Sequence, residues 1–302
     1  MKEVDVSVIL VNYNTKQMTL ECVNSVFKYT DGITFEVIVV DNDSKDGSDE
    51  LLGNGSRILF VKNNANLGFG RANNVGSANA KGKYLFFLNT DTLVNDNVIS
   101  SMFHYMQVHK KTAVCGVNLV GRDMKPTNSF ERIYPSVRYL LNELTARIPN
   151  RILYGKNAYY NHTAHPLKVA YVSGADLMIR KDVFDEVGGF DQNYFMYFEE
   201  TDLCYQVKRK GYRIEALPDH QIIHFGGQSF TGATSIPSYE KLKIQNQSIK
   251  YYQKKNMTKA ERKVYNALYS LLINLRRLLY KLTGNGEKYS MWNNVKKIYK
   301  SE

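Results

Sequence analysis

The sequence predicts an α/β fold with a mostly parallel central sheet and flanking helices. Short apolar segments rich in β-branched residues recur through the first half of the chain, and segments with helical spacing of apolar residues separate them. Strands and helices that alternate at this interval are typical of βαβ units. Two of the predicted strands also end on carboxylates, and the carboxyl ends of parallel strands open onto one crevice where ligands bind.

The first four strands and three helices follow from these two patterns. VSVILVN (6–12) is a β-branched run, and Leu20, Val23 and Phe27 share one face of a helix predicted over 19–29. The same reasoning gives strands over 35–42, 56–63 and 84–89, a helix of small residues over 71–80 and a further helix over 97–109.

Residues 121–168 break this alternation. They are polar and rich in tyrosine, and they hold four of the six prolines, so we expect an irregular insertion with some helix. Regular structure is predicted again over 169–190, as strand, turn, strand and short helix, and in two short strands over 213–218 and 221–225. The expected organisation is one domain over 1–230 and a helical extension over 231–302.

The net charge of +11 is confined to the C-terminal fifth of the chain. Residues 240–302 hold 15 Lys plus Arg and 4 Asp plus Glu, whereas residues 1–239 hold 25 of each sign. Val264 and the leucines that follow it up to Leu282 recur at helical spacing. This pattern fits an amphipathic helix at an anionic membrane surface, and it equally fits a helix packed on its own domain.

Composition also limits the class of protein. The three cysteines, Cys22, Cys115 and Cys204, are far apart and form no paired motif, so neither a disulfide framework nor a zinc site is expected. The first apolar run is too short and too polar for a signal peptide, and no uncharged apolar stretch reaches the roughly 18 residues of a membrane span. We expect a cytoplasmic protein with peripheral contact at the inner face of the cell membrane.

Acidic residues occur in three clusters that suit the chemistry of a nucleotide diphosphate. The first two follow directly after strands, and the third opens a segment of helical pattern far downstream. Together they suggest a nucleotide contact, a metal contact and a general base. The three clusters are VIVVDND with Asp41 and Asp43, YLFFLNTDT with Asp91, and FMYFEETDLC with Glu199, Glu200 and Asp202.

Seven segments, in order, resemble the family 2 glycosyltransferases of the GT-A fold. The resemblance covers roughly residues 4–230 and is closest to the branch that includes rhamnosyltransferases of bacterial surface polysaccharide synthesis. It implies a GT-A, Rossmann-like sheet, a nucleotide-diphosphate sugar as donor and a divalent cation. The segments are VSVILVNYN, VIVVDNDSKDGS, NNANLGFGRANNVG, YLFFLNTDT, VSGADLMIR, GGFDQNYFMYFEETDLCYQVKRKGY and IIHFGGQS.

The resemblance assigns the donor nucleotide to the first three segments. Asp41 takes the place of the aspartate that accepts a hydrogen bond from the base, and a carboxylate suits that role because it only accepts. Asn12 and Tyr13 would flank the base. Asn66 and Arg71 would lie near the base and the diphosphate, where an arginine offsets negative charge.

The metal position falls on Asn89, Thr90 and Asp91, which stand where the family has its DxD motif. Here the first acid is Asn, so Asp91 alone supplies charge. His224 stands at the family's third metal position. The cation would be Mn²⁺ or Mg²⁺, and the imidazole favours Mn²⁺ because Mg²⁺ prefers oxygen ligands.

The resemblance assigns the general base to the cluster around Glu200. An inverting transfer needs one carboxylate to take the proton from the acceptor hydroxyl as it attacks the anomeric carbon. Glu199 and Asp202 belong to the same motif, and Asp202 would orient it. The insertion over 121–168 would lie on the acceptor side, and three further residues are assigned to acceptor binding: Ser173, Gly174 and Asp176.

The leading hypothesis is therefore an inverting, metal-dependent glycosyltransferase. It would move a sugar from a dTDP- or UDP-sugar, with rhamnose as one candidate, to a hydroxyl of a lipid-linked or growing glycan in cell-envelope polysaccharide synthesis. Two alternatives stay open. A nucleotidyltransferase that makes a nucleotide-sugar would need a glycine-rich basic loop after the first strand, where the chain has NYNTKQ. A non-enzymatic binder of nucleic acid or another anionic surface would fit the basic tail, but the charge-balanced first domain argues against it, and we expect no nucleic-acid partner.

Overall fold

The computed structural model describes residues 3–53, 57–226 and 237–301, and the chain divides into two compact units. Unit 1 consists of Met1–Arg132, Lys156–Phe195 and Glu199–Ser229, and unit 2 of Ile133–Gly155, Met196–Phe198 and Phe230–Glu302. The predicted boundary between residues 230 and 231 lies outside the described residues, as do residues 227–229 of the last motif.

Unit 1 is built on a nine-stranded sheet in which the strands of one half are parallel. Its main order is β3-β2-β1-β4-β10-β6-β11-β5, and β8 pairs with β11. The four strands on the β3 side run parallel, as does the β6–β11 pair, while β10 is antiparallel to both its neighbours. The strands are β1 (Val4–Asn12), β2 (Phe35–Asp41), β3 (Leu59–Lys62), β4 (Gly82–Leu88), β5 (Thr92–Val94), β6 (Thr112–Val120), β7 (Phe130–Glu131), β8 (Leu167–Lys168), β9 (Tyr171–Val172), β10 (Asp176–Arg180) and β11 (Arg213–His224).

Helices pack on this sheet and close its apolar core. Strand residues such as Ile9, Ile38 and Phe86 are fully buried, which explains why the strands are nearly continuous apolar runs. β7 and β9 form a separate two-stranded sheet. The helices of unit 1 are α1 (Lys16–Tyr29), α2 (Ser48–Leu52), α3 (Phe69–Asn79), α4 (Val98–Val108), α7 (Lys181–Glu186) and α8 (Glu199–Arg209).

The predicted α/β sheet with flanking helices is confirmed, with differences in individual strands. The long strand β6, which lies between β10 and β11, was not among the predicted strands. The two strands predicted over 213–218 and 221–225 are one strand, β11, whose pairing with β6 is irregular between Ala216 and Gln221. Pro218 lies in that gap, and proline has no N–H to donate to a sheet ladder. β5, with only three residues, carries too short a pattern to be predicted.

Unit 2 is helical and combines two distant parts of the sequence. Leu140, from the segment predicted to be irregular, packs with Ile249, Tyr265 and Leu272 of the predicted C-terminal helical extension. Within the described residues, every helix falls short of the length and apolarity that a bilayer crossing requires. The helices of unit 2 are α5 (Val137–Leu144), α6 (Ile148–Tyr154), α9 (Tyr239–Asn256), α10 (Lys259–Leu282) and α11 (Gly286–Ser301).

We predict that Gly76→Ala destabilises unit 1. Gly76 lies on α3 where that helix meets the sheet, and a Cβ there would stand 2.5 Å from Ile9 Cγ2 and 3.1 Å from Val40 Cγ2. Both contacts are to buried β-branched side chains with little rotamer freedom, so relieving the overlap should cost about 1–3 kcal/mol of unfolding free energy. Chemical denaturation measures the change. Gly286→Ala is the matched control, because a Cβ at Gly286 meets nothing within 4 Å, and a midpoint equal to that control would contradict the prediction.

Candidate functional site

A buried hydrogen-bond network fixes the carboxyl ends of β1 and β2 side by side. Asn12 and Asp41 are paired in the sheet register, and Asn12 Nδ2 donates to Asp41 Oδ1 at 2.6 Å. The same amide nitrogen lies 3.0 Å from Ser44 Oγ and 2.8 Å from Ser48 Oγ, and Asn12 Oδ1 accepts from Thr19 Oγ1 at 2.7 Å. Asn12 therefore orients Asp41, and its own polar atoms are engaged within the protein.

Asn42, which follows Asp41, holds the next loop in place. Its Oδ1 accepts from Asn63 Nδ2 at 3.0 Å and from the Leu67 backbone N at 3.2 Å. Its Nδ2 donates to Asn66 Oδ1 at 3.1 Å and to the Gly68 carbonyl at 3.1 Å. Asn66 is thus joined to the end of β2, beside Asp41. Asn42 is buried and Asn66 is only partly buried. Nothing in the segment VVDND indicated that Asn42 would be the residue that holds the loop.

Arg71 and Tyr13 occupy less enclosed positions. Arg71 lies in the first turns of α3, is exposed, and donates from Nε to the Gln192 carbonyl at 2.5 Å. This bond uses one edge of the guanidinium. Tyr13 follows Asn12 and is half-buried.

Asp91 and His224 meet at the predicted metal position. Asp91 follows β4 and is 5% exposed, and its Oδ1 lies 3.3 Å from Nε2 of His224 at the end of β11. His224 Nε2 is buried and has no hydrogen-bond partner among the described residues. Two ligands of one cation, each about 2.1 Å from it, stand about 3 Å apart. The pair therefore fits a shared divalent cation.

The protein supplies few ligands to such a cation. Within the described ranges, no group of three or more His, Cys, Asp or Glu side chains is arranged to hold a metal. Two protein ligands leave most coordination positions for phosphate oxygens and water, which is the usual arrangement for a cation on a nucleotide diphosphate. Asn89 and Thr90 precede Asp91, and Thr90 Oγ1 lies 3.2 Å from Thr15 Oγ1 at the start of α1.

The acidic motif forms the first turn of α8. Glu199 is buried, and a Cβ at Gly70 would lie 3.5 Å from its Cβ, so Glu199 faces the start of α3. Glu200 is partly exposed, and a Cβ at Gly174 would lie 3.6 Å from its Cγ, so Glu200 faces the loop between β9 and β10. Asp202 is buried and accepts from Gln206 Nε2 at 3.2 Å.

Burial raises the pKa of both glutamates in this turn. For Glu199 the negative charge of Glu200 raises the pKa further, whereas backbone N–H groups oppose the rise at Glu200. A carboxylate with a raised pKa holds a proton more strongly, which suits a general base. Of the two, Glu200 is the one open to a ligand.

Backbone strain immediately precedes this motif. Tyr197 and Phe198 have φ of 69° and 71°, a left-handed conformation that costs a side-chain-bearing residue about 1–2 kcal/mol. Two residues earlier, the Phe195 carbonyl accepts from the Phe69 backbone N at 2.9 Å, and a Cβ at Gly68 would stand 2.0 Å from that oxygen. Strain of this kind is concentrated at functional sites.

The predicted acceptor residues divide between a cavity and the sheet. Ser173 lines a cavity of about 590 Å³ together with His224, Arg122 and Phe225. Arg122 lies over the Phe225 ring at 4.3 Å, a contact that the sequence did not indicate. Asp176 is fully buried in β10, where its Oδ2 accepts from the Val117 backbone N at 2.7 Å. Burial raises the pKa of Asp176 to about 7.

The sheet and the polar groups along its carboxyl edge define an α/β enzyme of the GT-A type. The chain belongs to the glycosyl transferase family 2, whose model, described as "Glycosyl transferase family 2", matches residues 7–188, more than half of the sequence. The predicted family and enzyme class are confirmed. Glu200 and His224 lie beyond the matched range.

Curated relatives are other glycosyltransferases. The chain is 29% identical over 171 residues to the rhamnosyltransferase WbbL of Escherichia coli, a match that covers 52% of this chain and 61% of WbbL. It is 25% identical to the low-salt glycan biosynthesis hexosyltransferase Agl10 of Haloferax volcanii, over 73% of this chain and 67% of Agl10. It is 21% identical to the dTDP-rhamnosyl transferase RfbF of Shigella flexneri, over 91% of this chain and 84% of RfbF.

Solved structures share the fold. GalNAc-T7, crystallised with UDP, GalNAc and Mn²⁺, matches with a TM-score of 0.58 and 16% identity, over 82% of this chain and 48% of that protein. S. aureus TarS 1-349 matches with a TM-score of 0.52 and 17% identity, over 99% of this chain and 91% of that one. The predicted GT-A fold is thereby confirmed.

We predict that Asp176→Asn reduces the pH dependence of stability. A carboxyl whose pKa rises from 3.8 to about 7 on folding contributes stability that is complete below about pH 4 and is lost as pH rises through about 7. Removing this group should make the decrease of unfolding free energy with rising pH shallower by about 1.4 kcal/mol per pH unit between those limits. Denaturant titrations in EDTA at several pH values measure the slope.

The control for this experiment is Asp219→Asn. Asp219 is exposed, so its replacement should leave the slope almost unchanged. Equal slopes for Asp176→Asn and the parent protein would contradict the prediction.

Proposed function

We propose that the protein is an inverting, metal-dependent transferase that uses a nucleotide-diphosphate sugar. The observation that carries this proposal is the 3.3 Å distance between Asp91 Oδ1 and His224 Nε2 on one edge of the sheet. Among the residues that the structure describes, this nitrogen has no hydrogen-bond partner. Family membership supports the class of reaction and argues against the nucleotidyltransferase and nucleic-acid-binding alternatives. The GalNAc-T7 structure, which was crystallised with UDP and Mn²⁺, supports a divalent cation as part of the proposal.

The donor would lie along the carboxyl ends of β1, β2 and β4. Asp41, held by Asn12 and the Ser44 backbone N, would accept a hydrogen bond from the base, and Tyr13 would flank it. Asn66 and Arg71 would lie along the nucleotide toward the diphosphate. Asp91 and His224 would hold Mn²⁺ or Mg²⁺, which supplies positive charge to the diphosphate leaving group when bound.

Glu200 would act as the general base. It takes the proton of the acceptor hydroxyl as that oxygen bonds to the anomeric carbon, and the bond from that carbon to the diphosphate oxygen breaks. The position of Glu200 beside Gly174, and of Ser173 in the cavity that also contains His224, supports an acceptor bound between the base and the donor. Glu199 and Asp202 are buried and would position the first turn of α8.

We further propose that the acceptor is a hydroxyl of a lipid-linked or growing glycan in cell-envelope polysaccharide synthesis. The relatives WbbL and RfbF are named for rhamnosyl transfer. A mycobacterial relative, an N-acetylglucosaminyl-diphospho-decaprenol L-rhamnosyltransferase, matches this chain over 20% of each sequence. These names support a dTDP-sugar donor with rhamnose as a candidate, and the UDP in the GalNAc-T7 structure supports a UDP-sugar as the other candidate. The basic C-terminal extension would hold the protein at the inner face of the cell membrane.

We predict that Glu200→Gln abolishes turnover and spares donor binding. Gln has nearly the same shape but cannot take a proton, so the rate should fall by about 10²- to 10⁴-fold. Nucleotide diphosphates are first screened with Mn²⁺ for thermal stabilisation, and the matching nucleotide-sugars are then assayed for transfer or donor hydrolysis. Glu186→Gln, at an exposed ion pair with Lys210, is the control. Turnover retained by Glu200→Gln would move the base to Glu199 or Asp202.

We predict that His224→Asn weakens the metal-dependent binding of nucleotide diphosphate. The loss of one of two protein ligands should lower the apparent affinity for Mn²⁺ by about tenfold or more. The readout is the Mn²⁺ concentration that half-maximally stabilises the protein against heat in the presence of the nucleotide. His220→Asn is a matched control, since His220 lies on the same strand and pairs with Asp96 instead. Equal Mn²⁺ requirements in both variants would exclude His224 as a ligand.

A further inference from the structure

Helix α10 of unit 2 exposes a continuous apolar face. Five of its residues follow one another at intervals of 7, 4, 3 and 4 positions, which places them along one side of the helix. Each is about half exposed or more, and the last of them is 77% exposed. We call this set the leucine face: Val264, Leu271, Leu275, Leu278 and Leu282.

Basic residues border the leucine face. Lys263 and Lys281 are exposed and lie about 90° around the helix from the middle of the face. A lysine at that position can keep its ammonium among phosphate headgroups while its methylenes rest on apolar surface. A helix with apolar residues on one side and lysines at its border has the composition of an interfacial membrane helix.

The same unit exposes a second apolar segment. α6 presents Ile148, Ile152 and Leu153, which are 53%, 78% and 62% exposed, with the exposed Arg151 between them. The sequence of unit 2 holds 18 Lys plus Arg against 5 Asp plus Glu, a balance of +13, while that of unit 1 balances to −2. Contiguous exposed apolar patches of this kind are unusual on protein surfaces and indicate a binding partner.

We propose that unit 2 docks on an anionic lipid bilayer, with the leucine face of α10 entering the headgroup region and α6 adding a second apolar contact. Charge complementarity favours an anionic bilayer over a second copy of the chain as the partner of this surface. A second copy of the chain would bring two surfaces of the same strongly positive unit together, and like charges repel. An anionic membrane surface instead attracts each basic residue. The inference deepens the membrane contact included in the proposed function and does not depend on the identity of the sugar.

The test compares binding of the full chain to vesicles. Parent protein should co-sediment with vesicles of phosphatidylglycerol and phosphatidylcholine, and much less with phosphatidylcholine alone or at raised salt. The combined variant Leu271→Gln, Leu275→Gln and Leu278→Gln should bind the anionic vesicles about tenfold more weakly or worse, because each leucine loses its burial on docking. These positions are exposed and glutamine is a good helix former, so folding should be retained.

A matched control removes the same amount of exposed apolar surface from unit 1. Leu51→Gln, Leu59→Gln and Val108→Gln together should leave vesicle binding unchanged, since these residues are exposed outside unit 2. Lys263→Gln with Lys281→Gln should weaken binding several-fold and reduce its salt dependence.

Three results would overturn the proposal. The leucine variant could bind anionic vesicles as the parent does, or the parent could bind phosphatidylcholine equally well. Alternatively, light scattering could show a parent oligomer that the leucine variant dissociates, which would assign the face to a second copy. Nucleotide-diphosphate stabilisation of the leucine variant, measured without vesicles, separates these failures from failure of the proposed transfer activity.

Discussion

The side chain of Asn12 is the interaction on which the arrangement of the site depends. One buried amide joins the end of β1 to Asp41 at the end of β2, to Ser44 in the next loop and Ser48 at the start of α2, and to Thr15 just before α1 and Thr19 within it. Thr15 in turn lies 3.2 Å from Thr90, the residue before Asp91. The network therefore runs from Asp41, the predicted contact to the nucleobase, to the loop that carries Asp91, the predicted metal ligand. Because its members are buried, loss of the amide would leave several polar groups unsatisfied at about 1–3 kcal/mol each.

The charge of the site supports the proposed role of a cation. Asp41, Asp91, Glu199 and Glu200 all lie along one edge of unit 1, whose sequence is slightly acidic in total. A nucleotide diphosphate would bring further negative charge to this edge, and an exposed side chain such as Arg71 would offset it poorly because solvent and salt screen its charge. A divalent cation between Asp91 and His224 would offset both the carboxylates and the phosphates. The proposed metal dependence thus follows from the electrostatics of the edge as well as from the geometry of the pair.

The sequence predicted the sheet and the polar residues at its edge, but it could not predict which of those residues are engaged by the protein itself. Strands such as β1 and β4 are predictable because their apolar runs are long and buried on both faces. Asn12 was expected to flank the nucleotide, yet its polar atoms bond to Asp41, Thr19 and their neighbours, a fact that depends on distances between loops. Asn42 and Arg122 were missed for the same reason. The sequence predicted two strands in place of β11 because a proline such as Pro218 is typical of a strand end. In the structure, β11 resumes its pairing with β6 at Gln221, after the proline.

The composition of unit 2 determines how its role can be tested. The basic tail was visible in the sequence as a separate segment, but the unit is completed by α5, whose Leu140 packs with Ile249, Tyr265 and Leu272. Leu140 is 1% exposed, so deleting residues 240–302 would uncover it and remove its core partners. Loss of membrane binding after such a deletion would therefore be ambiguous between a lost contact and a misfolded unit. Substitutions on the exposed face of α10 avoid this ambiguity. They change side chains that lie at the surface, and they keep the core residues Leu272 and Tyr265 in place.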